Sequence, residues 1–227
     1  MNLRNATLPL TPYSKKMLYL DSALIEEAKT AQEFGWVKGI TTNPTLLAKS
    51  SLTVEETLTE LSKISPGELY YQLTASDFSA MVAEGKKAFE IIGEKTVLKI
   101  PATKMGFQVA AHLAPEINCS VTAIYSPAQA AVAREAGVKY AIAYVNRATR
   151  LLGDGLALVA GMAKVLQGSK TEILAASIKS PEEAVAALQA GADHLTLPLP
   201  ILNSLTTHEL SEKTVEEFTE NGSGLKP

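Results

Sequence analysis

The chain has 227 residues, 46% of them hydrophobic, and a net charge of −3 from 21 basic and 24 acidic side chains. This composition predicts a globular protein with a large core, and the absence of a basic stripe excludes a typical nucleic-acid partner. No apolar run approaches the ~20 residues of a membrane span, and no signal-like apolar core begins the chain, so we expect a cytoplasmic protein with no membrane partner. The single Cys119 excludes an internal disulfide framework and fits a reducing compartment.

Residues 1–15 show no hydrophobic periodicity and contain two prolines, which predicts a flexible N-terminal arm. From residue 16 onward, short apolar or β-branched runs alternate with amphipathic stretches that usually end in glycine. The runs predict eight strands, at 17–21, 39–43, 69–75, 96–102, 119–126, 140–146, 172–178 and 194–199. Helical patterns fill the intervals, among them those at 22–35, 77–93, 126–137 and 180–191.

The stretch 180–191 carries the clearest helix boundaries in the chain. Ser180 is the expected N-cap and Pro181 occupies the first helical position, while Glu183 completes a capping box with Ser180. Gly191 is the expected stop after the last turn. A further amphipathic pattern follows Leu205, so residues 206–227 predict an additional helix and tail.

Strands that alternate with helices predict a parallel sheet joined by crossovers. Eight such units in about 185 residues match a (β/α)8 TIM barrel on the compact side of its usual size. An open doubly wound sheet is the alternative, but it normally has a glycine-rich phosphate turn after the first strand, where this chain has Asp21-Ser22-Ala23. We therefore expect one barrel domain over 16–205, with 206–227 packing on a neighbouring subunit.

Active sites of such barrels lie at the C-terminal ends of the strands, and the polar residues of the predicted strands collect there. Each also has a structural interpretation: Asp21 can cap the next helix, Asn43-Pro44 is a common turn, Thr122 and Ser177 can be ordinary strand residues, and Tyr144 can belong to the core. Because a buried polar cluster is costly unless it is paired, its repetition around the ring favours a pocket. Its members are Asp21, Asn43, Gln72, Lys99, Thr122, Tyr144, Arg147, Ser177 and Lys179.

Lys99 is the hardest of these residues to explain structurally, because it interrupts the apolar run TVLKIPAT. Strand alternation places Val97, Lys99 and Pro101 on one face and Leu98 and Ile100 on the other. If Leu98 and Ile100 meet the helices, Lys99 points into the barrel; otherwise its side chain reaches out to a rim.

An inward lysine amine is a nucleophile only when it is unprotonated, which is true of roughly one amine in 2,500 at pH 7 with the reference pKa of about 10.4. Burial can lower a lysine pKa by ~3–5 units. The free amine then forms an imine with a carbonyl, and the iminium withdraws electrons from the neighbouring carbon. This chemistry makes or breaks C–C bonds without a metal or other cofactor, and we expect none.

The remaining candidates for chemistry are the histidines and the cysteine. No H-x-H or H-E-x-x-H spacing occurs, and we interpret His112, His194 and His208 as non-ligands. Cys119 stands among apolar strand residues, so we expect it in the core.

Five short motifs occur in order along the chain: Leu20-Asp21-Ser22-Ala23, Thr41-Thr42-Asn43-Pro44-Thr45, Val97-Leu98-Lys99-Ile100-Pro101, Tyr144-Val145-Asn146-Arg147 and Leu174-Ala175-Ala176-Ser177. They resemble the short transaldolase and fructose-6-phosphate aldolase family, and the likeness runs from about residue 17 to 220. The resemblance implies a barrel with a Schiff-base lysine on strand 4, matching Lys99, and an Asp21 and Asn43 that hold donor hydroxyls and help proton movement. It also implies a phosphate site at Arg147, Ser177 and Lys179, and assembly into pentamers or decamers with exchanged C-terminal helices.

Two positions divide that family. Transaldolase-type members have a glutamate and a phenylalanine where this chain has Gln72 and Tyr144, the pair associated with aldolase-type members. With Thr122, this pair can position a water that protonates the carbanion. The resemblance therefore implies a class I aldolase that cleaves fructose 6-phosphate into dihydroxyacetone and glyceraldehyde 3-phosphate, with sugar phosphates and small aldehydes or ketones as its partners. A transaldolase, or a sugar-phosphate binder without catalysis, is the alternative.

Overall fold

A computed structural model describes residues 16–225 of the chain. Within them, eight parallel strands pair in sequence order, and β1 also pairs with β8, so that the sheet closes into a barrel. The strands are β1 Met17–Asp21, β2 Val37–Thr41, β3 Glu68–Gln72, β4 Thr96–Pro101, β5 Cys119–Ile124, β6 Tyr140–Tyr144, β7 Glu172–Ala176 and β8 His194–Leu197. The predicted (β/α)8 barrel is confirmed, and the open doubly wound alternative is wrong.

Helices follow every strand and form the outer layer. No helix among residues 16–225 is long and apolar enough to cross a membrane. A 3-10 turn at Gly93–Lys95 precedes β4. The helices are α1 Ile25–Glu33, α2 Pro44–Leu47, α3 Val54–Ile64, α4 Phe78–Ile92, α5 Lys104–Leu113, α6 Pro127–Glu135, α7 Val145–Leu152, α8 Gly155–Leu166, α9 Pro181–Gln189, α10 Leu199–Ser204 and α11 Glu209–Asn221.

Seven of the predicted strands extend beyond the observed ones at their C-terminal ends. Asn43 does not close β2, which ends at Thr41, because the Asn43 side chain instead caps α2 by accepting the Leu46 N–H at 3.0 Å. Arg147 does not end β6 but lies in α7, which begins directly after Tyr144. Ser177 and Lys179 lie in the loop after β7. The predicted runs are longer than the strands because residues just past the strand ends, such as Thr42, Leu73 and Ile178, are also buried.

The two ends of α9 confirm three of its four predicted boundary residues. Ser180 accepts the Glu183 N–H at 3.2 Å, Pro181 begins the helix, and Gly191 follows it with a φ of +111°. The predicted capping box is wrong in its second half. The Glu183 carboxylate accepts the N–H of Lys179 rather than that of Ser180, and it also accepts a hydrogen bond from Asn146.

Strand alternation divides the core into two parts. Outward residues such as Leu98 and Ile100 pack with the helices in the larger apolar cluster, as predicted. Inward residues such as Val97 form a smaller cluster inside the barrel, together with three tyrosines, Tyr19, Tyr70 and Tyr140. Two residues further along β1, β3 and β4, the inward side chains become polar. The barrel interior thus has an aromatic lower layer and a polar upper layer.

The lower end of the barrel is sealed around one carboxylate. Glu68 accepts hydrogen bonds from the hydroxyls of Tyr19 at 2.7 Å, Tyr140 at 2.9 Å and Tyr70 at 3.2 Å, and it forms an ion pair with Lys139 at 2.7 Å. All three tyrosines are fully buried. Burial, the largest cause in each case, raises the pKa of these tyrosines, so their hydroxyls remain protonated donors.

Gly39 makes room for this layer. A Cβ atom on Gly39 would overlap the Glu68 carbonyl oxygen and the ring of Tyr19. The inward position of β2 at this level therefore has to be a glycine if the tyrosine ring is to fill the barrel.

The segment after the barrel forms the predicted additional helix, α11, and none of its residues is buried. Its packing on a neighbouring subunit stays a prediction. The proposed N-terminal arm at 1–15 lies outside the described residues.

We predict that Glu68→Ala lowers the free energy of unfolding by about 2–5 kcal/mol, because it leaves up to three buried hydroxyls without their acceptor. Urea unfolding followed by tryptophan fluorescence measures the loss. Glu68→Gln keeps an acceptor at the same position and should lose clearly less. Equal stability of the alanine variant and the wild type would show that the tyrosines do not depend on this carboxylate.

Candidate active site

A cavity of about 370 Å³ opens at the C-terminal ends of the strands, above the polar layer. Eight of the nine residues predicted for the site line it, contributed by β1, β3, β4 and β6, by α7 and by the loops after β2 and β7. The lining residues are Asp21, Asn43, Pro44, Thr45, Leu46, Gln72, Lys99, Tyr144, Arg147, Ala176, Ser177 and Lys179. Thr122 is the predicted residue that does not line the cavity; it lies behind Tyr144.

Lys99 lies on the inner face of β4 and is only 3% exposed, so the interpretation that its side chain reaches out to a rim is wrong. Its Nζ donates a hydrogen bond to the Thr42 carbonyl oxygen at 2.9 Å. None of the ion pairs among residues 16–225 includes it. Gln72 and Ser120 lie beside it in the strand register. The amine is thus held by one backbone carbonyl at the inner end of the cavity, where a carbonyl substrate can reach it.

Asp21 ends β1 and takes part in a chain of hydroxyl groups. Thr41 Oγ1 donates to Asp21 Oδ1 at 2.8 Å and lies 2.6 Å from Thr196 Oγ1. Because the Thr41 hydroxyl has a single proton, Thr196 is the donor to Thr41. The helix-capping interpretation of Asp21 is wrong, since α1 begins after Leu24 and Asp21 makes no cap there.

Sequence reasoning missed Thr41 and Thr196 as members of the site. Each lies two residues after an inward residue at the lower level, Gly39 in β2 and His194 in β8. Counting inward positions by two along these strands would have found both. Their hydroxyls hold the Asp21 carboxylate in one orientation in the polar layer.

Gln72, Tyr144 and Thr122 form the opposite side of the polar layer. Thr122 Oγ1 donates to the Tyr144 hydroxyl at 2.9 Å, so that hydroxyl keeps its own proton for another acceptor. No hydrogen-bond donor among residues 16–225 reaches the buried Oε1 of Gln72. A buried acceptor without a protein donor is suited to a hydroxyl group of a substrate or a water molecule.

The outer part of the cavity contains the cationic residues. The Arg147 guanidinium lies over the Tyr144 ring, with Cζ at 5.1 Å from the ring centroid, and both Arg147 and Lys179 are exposed. Ser177 also lines this cavity. This combination of a guanidinium, an ammonium and a hydroxyl at the rim is suited to a phosphate group.

Two residues in the described part of the chain have a positive φ without being glycine, and both border the site. Ser177 has a φ of +60°, and Ala123, which follows Thr122, has a φ of +59° at a register shift between β5 and β6. Left-handed backbone costs such residues about 1–2 kcal/mol. These conformations orient Ser177 and Thr122, and surrounding contacts must maintain them.

Cys119 and the histidines lie apart from the cavity lining. Cys119 is buried in the core, as predicted, and burial raises the pKa of its thiol to about 12, so it is a poor nucleophile. His194 lies in the lower layer, where Nε2 is 3.0 Å from Glu172 Oε2. Among residues 16–225, no three His, Cys, Asp or Glu side chains form a group that can hold a metal ion.

Comparison with known proteins agrees with this geometry. Residues 18–225 match the sequence profile of the transaldolase/fructose-6-phosphate aldolase family. The chain belongs to this family. It is therefore an enzyme of a family that transfers or cleaves sugar units, and the resemblance predicted from the five motifs is confirmed.

Individual relatives cover nearly the whole chain. A probable transaldolase of Nitrosopumilus maritimus (strain SCM1) is 33% identical over 213 residues, which cover 92% of this chain and 96% of the relative. Another from Hydrogenobaculum sp. (strain Y04AAS1) is 36% identical over 203 residues, covering 88% and 93%. A third, from Shouchella clausii (strain KSM-K16), is 35% identical over 203 residues, covering 88% and 94%.

Solved structures confirm the fold beyond this family. A point mutant of mandelate oxidase superposes with a TM-score of 0.59 at 18% identity, covering 81% of this chain and 64% of the oxidase. A second structure of that mutant gives a TM-score of 0.58 at 17% identity, covering 82% and 65%. The chain thus spans slightly less than two thirds of the oxidase, and the likeness concerns the barrel alone.

Proposed function

We propose that this member of the transaldolase/fructose-6-phosphate aldolase family is a class I aldolase that reversibly cleaves fructose 6-phosphate into dihydroxyacetone and glyceraldehyde 3-phosphate. The observation that carries the proposal is the buried Lys99 amine at the inner end of a polar cavity. A protein that only binds sugar phosphates has no use for a lysine in this position, whereas imine chemistry requires one.

In the proposed reaction, the unprotonated Lys99 amine attacks the ketone carbon of the sugar. Loss of water from the resulting carbinolamine gives an iminium. Asp21, held by Thr41, accepts the proton of the hydroxyl on the carbon that becomes the aldehyde. The bond between the third and fourth carbons then breaks, its electron pair moves to the iminium to form an enamine, and glyceraldehyde 3-phosphate leaves.

The enamine must then gain a proton on carbon and lose its bond to Lys99. A water between the Tyr144 hydroxyl and Gln72 can deliver that proton, because Tyr144 keeps its proton when Thr122 donates to it. The proton that Asp21 accepted then passes to the hydroxide left behind, which restores the water and the Asp21 carboxylate. A second water hydrolyses the iminium, which releases dihydroxyacetone and restores the amine. Asn43 lines the cavity directly after Thr42, whose carbonyl holds the Lys99 amine, and is suited to hold the donor hydroxyls. Arg147, Ser177 and Lys179 are suited to hold the phosphate.

A transaldolase is the second candidate, and the names of the relatives favour it. It shares every step up to the enamine, which then attacks an acceptor aldehyde instead of gaining a proton. The two candidates therefore differ only in how readily water protonates the enamine. The combination of Gln72, Thr122 and Tyr144 supports the aldolase.

We also propose that the protein forms a homo-oligomer through α11. At 100° per residue, the side chains of Leu210, Val215 and Phe218 fall within one 140° arc of this helix, and every charged residue falls outside it. The three side chains are 65%, 61% and 71% exposed in the single chain. A helix with an apolar face that the rest of residues 16–225 leaves uncovered is suited to pack against a second copy.

Incubation with dihydroxyacetone and sodium borohydride is expected to add one reduced dihydroxyacetone group to the protein, because borohydride reduces the imine to a stable amine. Peptide mass spectrometry should locate the group on Lys99. Lys99→Met should remove both the adduct and turnover, whereas Lys164→Met, on the exposed side of α8, should change neither. An unmodified wild-type mass would support a protein that only binds sugar phosphates.

Tyr144→Phe is expected to lower the release of free dihydroxyacetone by roughly 10²-fold, because it removes the hydroxyl proposed to activate water. Transfer of the same unit to an added acceptor aldehyde should fall much less. Both rates can be measured on one preparation, with and without acceptor. Thr122→Val removes only the donor to Tyr144. It should also lower the ratio of dihydroxyacetone release to transfer, but by a smaller factor. Equal losses in both activities would exclude this role.

Phe218→Glu is expected to weaken the assembly by about 2–4 kcal/mol per contact, since it places a charge in the apolar face of α11. Sedimentation equilibrium should then detect smaller species than in the wild type. Glu216→Lys, on the charged face of the same helix, serves as the control and should leave the assembly unchanged. A monomeric wild type would refute the proposed oligomer.

A further inference from the structure

Two separate segments of the chain carry the groups suited to hold phosphate. Arg147 lies in the first turn of α7, directly after β6, while Ser177 and Lys179 lie in the loop between β7 and α9. The spacing between the first turn of α7 and the β7–α9 loop determines whether the guanidinium, the hydroxyl and the ammonium can reach one phosphate group together. Contacts that hold these two segments at a constant separation would therefore support phosphate binding.

The Glu183 carboxylate, in the first turn of α9, connects them. Its Oε2 accepts the Lys179 N–H at 2.6 Å, and its Oε1 accepts a hydrogen bond from Nδ2 of Asn146, the residue before Arg147, at 3.2 Å. Asn146 also donates its backbone N–H to the Ser177 carbonyl oxygen at 3.1 Å. These three hydrogen bonds connect the first turn of α7 to the β7–α9 loop and to α9.

We propose that Glu183 is a positioning residue for phosphate recognition, acting through Asn146 and Lys179 without touching the substrate. The inference rests on the proposed function insofar as the phosphate belongs to a sugar-phosphate substrate. It goes beyond that function because it assigns the arrangement of the phosphate site to a carboxylate outside the cavity lining.

The sign of the charge makes this assignment testable. A carboxylate near a phosphate repels it, so its removal should tighten phosphate binding if charge were its main contribution. In this chain both carboxylate oxygens accept hydrogen bonds from the two segments that carry the cationic groups, the first turn of α7 and the β7–α9 loop. The bridging role predicts weaker phosphate binding when the carboxylate is removed, because the two segments are then no longer held together.

The backbone of Ser177 supports the bridging role. Its φ of +60° is unfavourable for a serine and requires contacts that maintain it. The Asn146 N–H on the Ser177 carbonyl oxygen is such a contact, and Glu183 holds the Asn146 side chain. Release of the bridge should therefore let Ser177 relax and turn its hydroxyl away from the phosphate.

The test compares Glu183→Ala, Glu183→Gln and the control Glu182→Ala. Glu182 is the adjacent, exposed carboxylate in the first turn of α9. It hydrogen-bonds to Ser180, whereas Asn146 and Lys179 donate to Glu183, so removal of Glu182 matches the charge change while leaving those two hydrogen bonds in place. Calorimetry with inorganic phosphate gives the dissociation constant, and kinetics with fructose 6-phosphate give KM and kcat separately.

Glu183→Ala is expected to raise the phosphate dissociation constant and the KM for fructose 6-phosphate about 10-fold or more, the loss expected from broken hydrogen bonds to a charged group. The rate at which dihydroxyacetone is trapped on Lys99 by borohydride should not change. Glu183→Gln, which keeps an acceptor for the Lys179 N–H, should restore most of the affinity. Glu182→Ala should bind phosphate as the wild type does.

Asn146→Ala provides a second route if Glu183→Ala folds poorly. It should weaken phosphate binding by a similar factor, and the double variant should bind little worse than either single variant because both remove the same bridge. Unchanged or tighter phosphate binding in Glu183→Ala, or fully additive losses in the double variant, would overturn the inference. Failure of the wild type to form the Lys99 adduct would instead refute the proposed function, and leave the phosphate measurements to decide the bridge.

Discussion

The closure of the sheet determines where the side chains of this protein go. In a closed parallel barrel, alternate residues must point inward, and an inward lysine then has no route to bulk water except along the axis. Lys99 occupies such a position on β4, and its amine rests on the Thr42 carbonyl oxygen at 2.9 Å. The amine is buried within the polar layer and lines the cavity that opens above it at the C-terminal ends of the strands.

The barrel combines an aromatic base with a polar upper layer. At the base, Glu68 collects three buried tyrosine hydroxyls, while higher in the barrel the inward positions include Asp21, Gln72, Lys99 and Tyr144. The first layer satisfies its polar groups internally, which stabilises the fold. The second leaves the amine nitrogen and the Gln72 oxygen available, as a site for polar substrates requires.

Regular features of the structure could be predicted from the sequence, whereas contacts between distant segments could not. Alternation within one strand correctly gave the orientation of Lys99, and the order of runs gave the barrel. The prediction that Asn43 and Arg147 lie at strand ends was wrong. Asn43 caps a helix of only four residues, and no glycine or proline marks the start of α7 directly after Tyr144. Glu183 appeared to complete a local capping box, but Asn146, 37 residues away, competes for its carboxylate.

The sealed base also has a kinetic consequence. Because three buried tyrosines fill the lower end of the barrel, molecules enter and leave through the cavity at its upper end. In the proposed aldolase reaction, the fragment attached to Lys99 would lie deepest, and its partner fragment would lie between it and the exit. That reaction therefore requires a fixed sequence of release, in which the outer, phosphorylated fragment leaves before the inner ketone, and the reverse addition requires the opposite order of binding.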